Sequence, residues 1–351
     1  MASAGSRRNS AGLWGAEETK YFYAITPERI LSAVEAYGLR CTGRCLSLHS
    51  LENRVYEVEV ELPAGEQQRS VSERFRVVKF YRPGRWSREQ ILEEHEFLED
   101  LAEAELPVVP PISFEGETLR RVDGMEMYCA LFPRAGGRSP AELNEEQLKR
   151  VGRLLARLHQ VGAAKRFACR LALTPAAYGI ENLRFMVDNG VIMPELVRAY
   201  SAAVDGICDL CAPWFEETPA QRVHGDAHLG NLLWRDEALA VVDFDDCVLA
   251  PRVQDLWLMV QGRDDAAQRR MEILLEGYEE MSPFDRSSLR LIEALRALRM
   301  IHYSAWIAHR REDPAFRSVF PHFGGQQYWM EQVADLQEQL EVVRSGDAWR
   351  L

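Results

Sequence analysis

The sequence lacks any long apolar run, and its charge balance is unfavourable for polyanionic partners. No stretch approaches the ~18 consecutive apolar residues that a membrane-spanning helix requires. The first fifteen residues contain no apolar core, so a secretory signal peptide is not expected. The 42 Lys and Arg residues are outnumbered by 54 Asp and Glu residues, which gives a net charge of −12. Such a chain is a poor general ligand for nucleic acid or an anionic membrane, so we expect neither as a partner.

The cysteines also lack the pattern of a disulfide framework. Seven is an odd number, and these residues are spread along the whole chain, so a reduced, cytoplasmic protein is expected. The pairs Cys41/Cys45 and Cys208/Cys211 would each supply half a zinc site, but no matching His or Cys cluster follows them. Cys208 and Cys211 share a helical face with Val204, which favours structural thiols.

The order of the hydrophobic patterns predicts an α+β fold with two lobes. The leader is Ser/Gly/Ala/Arg-rich and is expected to be disordered. A β-rich N-lobe with one helix would bind nucleotide, and a C-lobe dominated by helical periodicity would hold the catalytic and substrate-binding groups. Gly136, Gly137 and Pro140 suit a hinge, and a cleft between two lobes is a favoured ligand site. The predicted boundaries are residues 1–18, 19–135 and 136–351.

Several elements are predicted within these parts. Thr26 suits a helix N-cap, Pro27 a first turn and Gly38 a stop, so the first helix is expected to run to about Tyr37. The other N-lobe elements are a helix at 87–105, strands at 41–48, 54–62, 74–81, 112–117 and 126–132, and a hairpin loop at 63–72. In the C-lobe, helices are predicted at 144–162, at 194–216 and along most of the chain after residue 251, with short β-like runs between 222 and 246.

The densest group of chemically capable residues lies in His-Gly-Asp-Ala-His-Leu-Gly-Asn, residues 224–231, and in Asp-Phe-Asp-Asp, residues 243–246. Phosphoryl transfer requires a hydroxyl aimed in line and a cation that neutralises the phosphates. Asp226 is placed to accept the hydroxyl proton or to orient the hydroxyl. Asn231 and Asp243 offer the hard oxygens that Mg²⁺ prefers, with ATP phosphates and water as further ligands. The apolar run before Asp243 predicts that this residue lies on a buried strand.

A transition-metal cluster of a hydrolase is the rival interpretation of this motif. It would use His224, Asp226 and His228, and it requires further His or Cys ligands nearby. The nearest other histidines, His159 and His302, lie in no ligand motif, which disfavours this interpretation. His228 is left open between local loop structure and a contact with substrate.

A lysine on a strand completes the expected phosphate-binding set. Lys79 lies in the apolar run Arg-Val-Val-Lys-Phe-Tyr, where its charge requires a partner. Glu94 falls on the apolar stripe of the helix at 87–105 and is the predicted partner, as in kinase sites. Arg82, Arg85 and Arg88 follow closely and would face either phosphate or solvent; a solvated turn is favoured.

No G-x-G-x-x-G or Walker A motif is present. In its place, the polar turn Leu-His-Ser-Leu-Glu-Asn-Arg at residues 48–54 offers backbone N–H groups and the Ser50 hydroxyl to phosphate. The segment Met127–Pro133 is placed to supply backbone hydrogen bonds to adenine, on position alone.

With these motifs, the chain resembles the aminoglycoside phosphotransferase/choline kinase branch of the protein-kinase-like fold. His-Gly-Asp-x-His-x-Gly-Asn with Val-Asp-Phe-Asp-Asp is specific to that branch. The runs SLENRVY, VVKFYRPGRWS, QILEEH, VGRLLARLHQVG, HGDAHLGNLLW and QDLW are similar to the stress response kinase A type of bacteria, and the resemblance covers residues 21–328.

The resemblance implies a cytoplasmic, ATP- and Mg²⁺-dependent serine/threonine protein kinase that protects against stress-induced death. It implies that Asp226 is the catalytic base, that Asn231 and Asp243 bind Mg²⁺, that Ser50 lies in the nucleotide loop and that Asp255 braces the catalytic loop. A monomer that binds ATP and a protein with a Ser or Thr hydroxyl is expected.

Two other functions stay open at this point. A small-molecule kinase acting on an amino sugar, a choline-like alcohol or a homoserine-like metabolite would use the same catalytic residues. Acidic residues of the C-lobe would either suit such a cationic acceptor or lie on the surface: Asp245, Asp246, Asp264 and Asp265. A nucleotide-binding regulator without turnover is disfavoured by the intact catalytic set.

Overall fold

The backbone of the computed structural model divides into two compact units. Residues 22, 25–48, 50–62, 71–346 and 349 are described. Within this part of the chain, the first unit comprises the residues up to Leu92 with Pro111–Arg134 and His309–Val319, and the second comprises the rest. The predicted leader at 1–18 and most of the predicted loop at 63–72 lie outside the described residues. The predicted lobe boundary after residue 135 stays a prediction.

The first unit is built on a five-stranded antiparallel sheet. Alternate residues of its central strands point into one core, where the side chains of Val58, Val78 and Leu131 are fully buried. The strand order is β1-β2-β3-β5-β4 for strands with these bounds: β1 Cys41–Leu48, β2 Arg54–Val60, β3 Phe75–Phe80, β4 Arg120–Arg121 and β5 Tyr128–Pro133.

Two helices before residue 111 follow their predicted signals; most of the second belongs to the second unit. The first, α1 (Pro27–Glu35), begins where the Thr26 hydroxyl accepts a hydrogen bond from the backbone N–H of Arg29 at 3.5 Å. It ends two residues before the predicted Tyr37. The second, α2 (Arg88–Glu103), confirms the helix predicted at 87–105. A reciprocal pair of side-chain hydrogen bonds between Ser87 and Gln90 caps its start.

The strand predicted at 112–117 is wrong. The backbone N–H of Ile112 donates to the carbonyl of Leu131 at 2.6 Å, but the segment then turns. Glu115 and Gly116 both have positive φ, at 54° and 82°, which reverses the chain and pairs Phe114 with residue 117 in an isolated bridge. The fifth strand of the sheet is instead the short β4.

The second unit is mainly helical, as the periodicity predicts. Its first long helix has an Asn144/Gln147 capping box and buries the predicted stripe that includes Leu148 and Leu155. The helices after α2 are α3 Glu145–Ala164, α4 Glu181–Asp188, α5 Val197–Glu217, α6 Val253–Trp257, α7 Asp265–Glu279, α8 Leu291–His309, α9 Pro314–Val319 (a helix of the first unit) and α10 Gln326–Ser345. With the antiparallel sheet, they confirm the α+β class.

Two pairs of short antiparallel strands interrupt these helices. One pair is β6 (Gln221–Val223) with β9 (Val248–Ala250), and the other is β7 (Leu232–Arg235) with β8 (Ala238–Val241). The prediction that Asp243 lies on a buried strand is wrong. Strand β8 ends at Val241, and Asp243 is an exposed residue in the left-handed region, with φ 64° and ψ 68°. Asp tolerates this conformation better than β-branched residues do.

In the described part of the chain, the seven cysteines are thiols that no disulfide bond joins. Burial raises the pKa of the Cys208 and Cys211 thiols to about 12, and the Cys208 thiol donates to the carbonyl of Pro175. These two residues are therefore packing groups of α5, as predicted. In the described part of the chain, no helix has both the length and the apolar character needed to cross a bilayer.

Candidate phosphotransfer site

Two loops of the second unit lie side by side. The catalytic loop, residues 224–231, connects β6 to β7, and the acidic segment, residues 242–247, connects β8 to β9. Because β6 pairs with β9 and β7 pairs with β8, the ends of the two loops are brought together. The backbone N–H of Val242 donates to the carbonyl of Asn231 at 3.0 Å.

Gly225 makes this close approach possible. It has φ 85°, a conformation that L side chains rarely adopt. A Cβ atom at this position would lie 2.2 Å from the carbonyl oxygen of Asp246. The glycine of the His-Gly-Asp motif is therefore required by both its backbone angle and its contact with the acidic segment.

The buried carboxylate of Asp255 holds the start of the catalytic loop. Its Oδ2 accepts from the backbone N–H of His224 and its Oδ1 from that of Gly225, each at 2.9 Å. His159 Nε2 lies 3.1 Å from the same Oδ2, and its other ring nitrogen lies 2.9 Å from the Tyr278 hydroxyl. The bracing expected of Asp255 is thus present, and His159 extends it into the core.

Both ring nitrogens of His224 are used inside the protein. Nδ1 accepts from the backbone N–H of Asp226 at 3.3 Å, and Nε2 donates to the carbonyl of Val242 at 3.1 Å. This histidine ties the catalytic loop to the acidic segment and offers no lone pair to a metal. Among the described residues, no three His, Cys, Asp or Glu side chains form a group suited to a metal ion. His224 is therefore not available as the ligand that the transition-metal interpretation requires.

The carboxylate of Asp226 lies between two basic side chains. Its Oδ1 is 2.8 Å from Arg299 Nη1, and its Oδ2 is 3.3 Å from His228 Nε2. Burial raises the pKa of Asp226, but the hydrogen bond with His228 and the charge of Arg299 lower it by more, so the pKa lies below its usual range. Asp226 is therefore ionised at neutral pH and can accept a hydrogen bond from an alcohol. From the sequence, the role of His228 stayed open between local loop structure and a contact with substrate. The contact of Arg299 with Asp226 was not predicted.

Asn231 is oriented by the same loop. Its side chain is 9% exposed, and its Nδ2 donates to the backbone carbonyl of Asp226 at 2.9 Å. The side-chain oxygen is therefore the atom with which Asn231 can coordinate a cation. Together with the exposed Asp243 carboxylate it offers hard oxygen donors, which fit Mg²⁺ in the presence of nucleotide phosphates.

A buried ion pair between Arg170 and Glu94 holds the acidic segment in place. Arg170 Nη2 donates to Glu94 Oε2 at 2.9 Å, and both side chains are almost completely buried. The same guanidinium donates to the backbone carbonyls of Asp245 and Cys247. The burial of Glu94 was predicted, but this contact with Arg170 was not; the ion pair with Lys79 stays a prediction. Arg170 had a usable signal, because a charge within Cys-Arg-Leu-Ala-Leu requires a partner.

The other two predicted residues belong to the first unit. Lys79 lies on β3, is 8% exposed, and has its Nζ 4.6 Å from the centre of the Tyr81 ring. Ser50 begins a tight turn, in which its hydroxyl accepts from the backbone N–H of Asn53 at 3.3 Å. The structure therefore brings Asp226, Asn231 and the acidic segment together in the second unit and places Lys79 and Ser50 in the first.

The turn that contains Ser50 is fixed by buried arginines. Glu52 lies 2.7 Å from Arg310 Nη2, 2.7 Å from Arg85 Nη1 and 3.1 Å from Arg82 Nε. Arg82 also donates to the backbone carbonyls of Leu51 and Glu52. The prediction of a solvated charged turn is wrong for Arg82 and Arg85, which are 1% and 3% exposed. Glu52 compensates part of their charge, and the buried Asp313 carboxylate lies 3.0 Å from Arg82 Nη2.

The chain is similar to known kinases over almost its whole length. The chain is 41% identical over 325 residues to stress response kinase A of Escherichia coli strain K12, covering 92% of this chain and 95% of that protein. It is 39% identical to serine/threonine protein kinase RdoA of Salmonella typhimurium, covering 92% and 94%. The structure of amicoumacin kinase hAmiN in complex with AMP-PNP and Ca²⁺ superimposes with a TM-score of 0.69 at 18% identity, covering 94% of this chain and 96% of that one.

These likenesses confirm the protein-kinase-like fold of the aminoglycoside phosphotransferase type and the similarity to stress response kinase A. The sequence profile of the Phosphotransferase enzyme family matches residues 48–292, which include every predicted site residue. The chain belongs to the phosphotransferase enzyme family.

Proposed function

We propose that this protein is a cytoplasmic, ATP- and Mg²⁺-dependent serine/threonine protein kinase of the stress response. The observation that carries the proposal is the arrangement around Asp226: its ionised carboxylate lies in a braced loop, and the Asn231 side chain donates to the backbone carbonyl of Asp226. The choice of a protein acceptor is supported by the two relatives, whose names describe a stress response kinase and a serine/threonine protein kinase.

Each site residue has a proposed role. Asp226 accepts a hydrogen bond from the acceptor hydroxyl, aims its oxygen at the γ-phosphorus and takes its proton. Asn231 and Asp243 would hold Mg²⁺, which neutralises phosphate charge when bound. Lys79 and Ser50 are proposed to bind ATP, and Glu94 to position the nucleotide-binding groups through its ion pairs.

The surrounding residues favour a protein acceptor over a cationic small molecule. Asp264 is the N-cap of α7, where its carboxylate accepts from the backbone N–H of Ala267, and Asp245 is 4% exposed. The Asp264 carboxylate is thus used in capping α7 and the Asp245 side chain is buried, while Asp265 is exposed at the start of α7. The groups on Asp226 are instead the basic side chains of His228 and Arg299.

Incubation with γ-labelled ATP tests the proposal. With Mg²⁺ present, we expect label on Ser or Thr of added protein and not on a panel of amino sugars, choline and homoserine. Asp226→Asn should lower the rate by about 10²- to 10⁴-fold while ATP still binds, since a general base contributes that much. The matched control is Asp209→Asn, an exposed residue of α5. Label confined to a small alcohol, or full activity of Asp226→Asn, would contradict the proposal.

A further inference from the structure

A basic group borders the proposed acceptor position. Arg299, from α8, and His228, from the catalytic loop, contact different oxygens of Asp226, at 2.8 and 3.3 Å. The hydrogen bond to Asp226 raises the pKa of His228, although burial opposes it. One carboxylate is thus flanked by the permanent cation of Arg299 and by the imidazole of His228.

Arg299 differs from an arginine that only supports the fold. Its side chain is 44% exposed although its guanidinium contacts Asp226. Arg296, one turn earlier on α8, has contacts of another kind: it donates to Glu293 and to the backbone carbonyl of Gly262, and it lies 5.1 Å from the centre of the Trp257 ring. Arg296 is therefore the structural arginine of this helix, and Arg299 is the one placed at the site.

An aromatic surface continues from Arg299 along the same helix. Tyr303 is 46% exposed and lies one turn beyond Arg299. Burial raises the pKa of the Tyr303 phenol, and the charge of Arg299 opposes this effect. The Tyr303 ring stacks on Trp306 at 5.5 Å and meets Phe320 at 5.9 Å. Tyr303 is exposed and the other two rings are half-buried, and aromatic side chains are enriched where proteins bind polypeptide partners.

We propose that Arg299 is a specificity-determining residue that selects a Ser or Thr hydroxyl with an acidic residue next to it in the acceptor polypeptide. This inference rests on the proposed protein-kinase function. An acceptor bound at Asp226 brings its neighbouring side chain close to the guanidinium, which forms bidentate hydrogen bonds with a carboxylate. A Lys or Arg in that place meets two basic groups and is repelled. The Tyr303–Trp306–Phe320 surface supports the rest of the peptide.

Three peptides of equal length test the proposal. They carry one Ser flanked on both sides by Glu, Gln or Lys, and an apolar residue further along. We expect kcat/KM of the wild type to be about 10-fold or more higher for the Glu peptide than for the Lys peptide, as partly exposed charge pairs allow. Arg299→Glu should invert the order, Arg299→Lys should keep it in weaker form, and Arg296→Gln should leave it unchanged.

The ratio of kcat/KM between peptides is the informative quantity, because Arg299 contacts Asp226 and its replacement also changes the absolute rate. Tyr303→Ala should raise KM for all three peptides without changing the ratio. Peptide phosphorylation with the same ratio in wild type and Arg299→Glu would overturn the role of Arg299 and leave the kinase function intact. Label on small alcohols with none on any peptide would contradict both proposals.

Discussion

The carboxylate of Asp255 and the backbone N–H of His224 are joined by a hydrogen bond of 2.9 Å, thirty-one positions apart in the chain. The second oxygen of the same carboxylate holds Gly225 at the same distance. Two backbone donors just before Asp226 are therefore fixed by one buried group. The position of the proposed base thus depends on a residue outside its own loop.

Asp255→Asn should lower kcat by about 10- to 100-fold, as removal of a supporting group around a site commonly does. Asn has one acceptor oxygen, so its NH₂ group would face a backbone N–H and leave that donor unpaired. The KM for ATP should change little, since the nucleotide-binding residues proposed in the first unit are untouched. Steady-state kinetics measure both quantities. Asp205→Asn, at an exposed position of α5, is the control, and an unchanged kcat would refute the bracing role.

Gly225→Ala should abolish measurable activity. The new Cβ atom would lie 2.2 Å from the Asp246 carbonyl, so the catalytic loop and the acidic segment must separate. Positive φ adds strain of about 1–3 kcal/mol for a residue with a side chain. Gly190→Ala is a matched control, because Gly190 has φ 59° and nothing within 4 Å of the added atom. Both variants carry the backbone strain, but only Gly225→Ala has the close contact, so only it should lose activity in the kinase assay. Urea unfolding measures the loss of stability of each variant. Equal loss of activity in Gly225→Ala and Gly190→Ala would contradict this account.

Local signals in the sequence predicted much of the fold. The Thr26–Pro27 start of α1 and the apolar stripe of α3 depend on neighbours within a few residues, and both are confirmed. The strand prediction for Asp243 failed because the apolar run continues to Phe244, whereas a single left-handed residue ends the extended backbone. Apolar periodicity does not register such a turn.

Contacts between distant residues account for most of what the sequence did not reveal. Arg82 and Arg85 look like a solvated turn until Glu52, some thirty positions earlier, and Arg310, far later, are placed beside them. Arg299 lies on a helix whose pattern shows only an ordinary polar position. Its contact with Asp226 depends on the packing of α8 in the second unit, which no local motif encodes.

Glu52→Gln should destabilise the protein at neutral pH by about 3 kcal/mol. It should also make the free energy of unfolding less dependent on pH below 4.5. Burial raises the pKa of Glu52, but Arg310, Arg85 and Arg82 lower it by more, from 4.5 to about 2. The native state thus holds the charged form more strongly than the unfolded chain does. The stabilisation is complete above pH 4.5 and is lost as the pH falls toward 2.

Urea unfolding followed by circular dichroism from pH 7 to pH 2.5 measures this effect. Between pH 4.5 and 2.5, the free energy of unfolding of the wild type should fall more steeply than that of Glu52→Gln. Glu61→Gln is the control, because its ion pair with Arg40 is exposed. If the free energy of unfolding of the wild type and of Glu52→Gln fell in parallel with pH, the Glu52 carboxylate would not be the group that stabilises the buried arginines.

Arg170→Ala should destabilise the protein by about 3–5 kcal/mol, because it leaves the Glu94 carboxylate buried without this partner. It also removes the donor that holds the carbonyls of Asp245 and Cys247, so the Mg²⁺ concentration for half-maximal activity should rise. In a double-mutant cycle with Glu94→Gln, the two changes should couple by about 2 kcal/mol. Arg344→Ala, which breaks an exposed pair with Glu341, is the control. Additive effects, with an unchanged Mg²⁺ requirement, would mean that the acidic segment keeps its shape without Arg170.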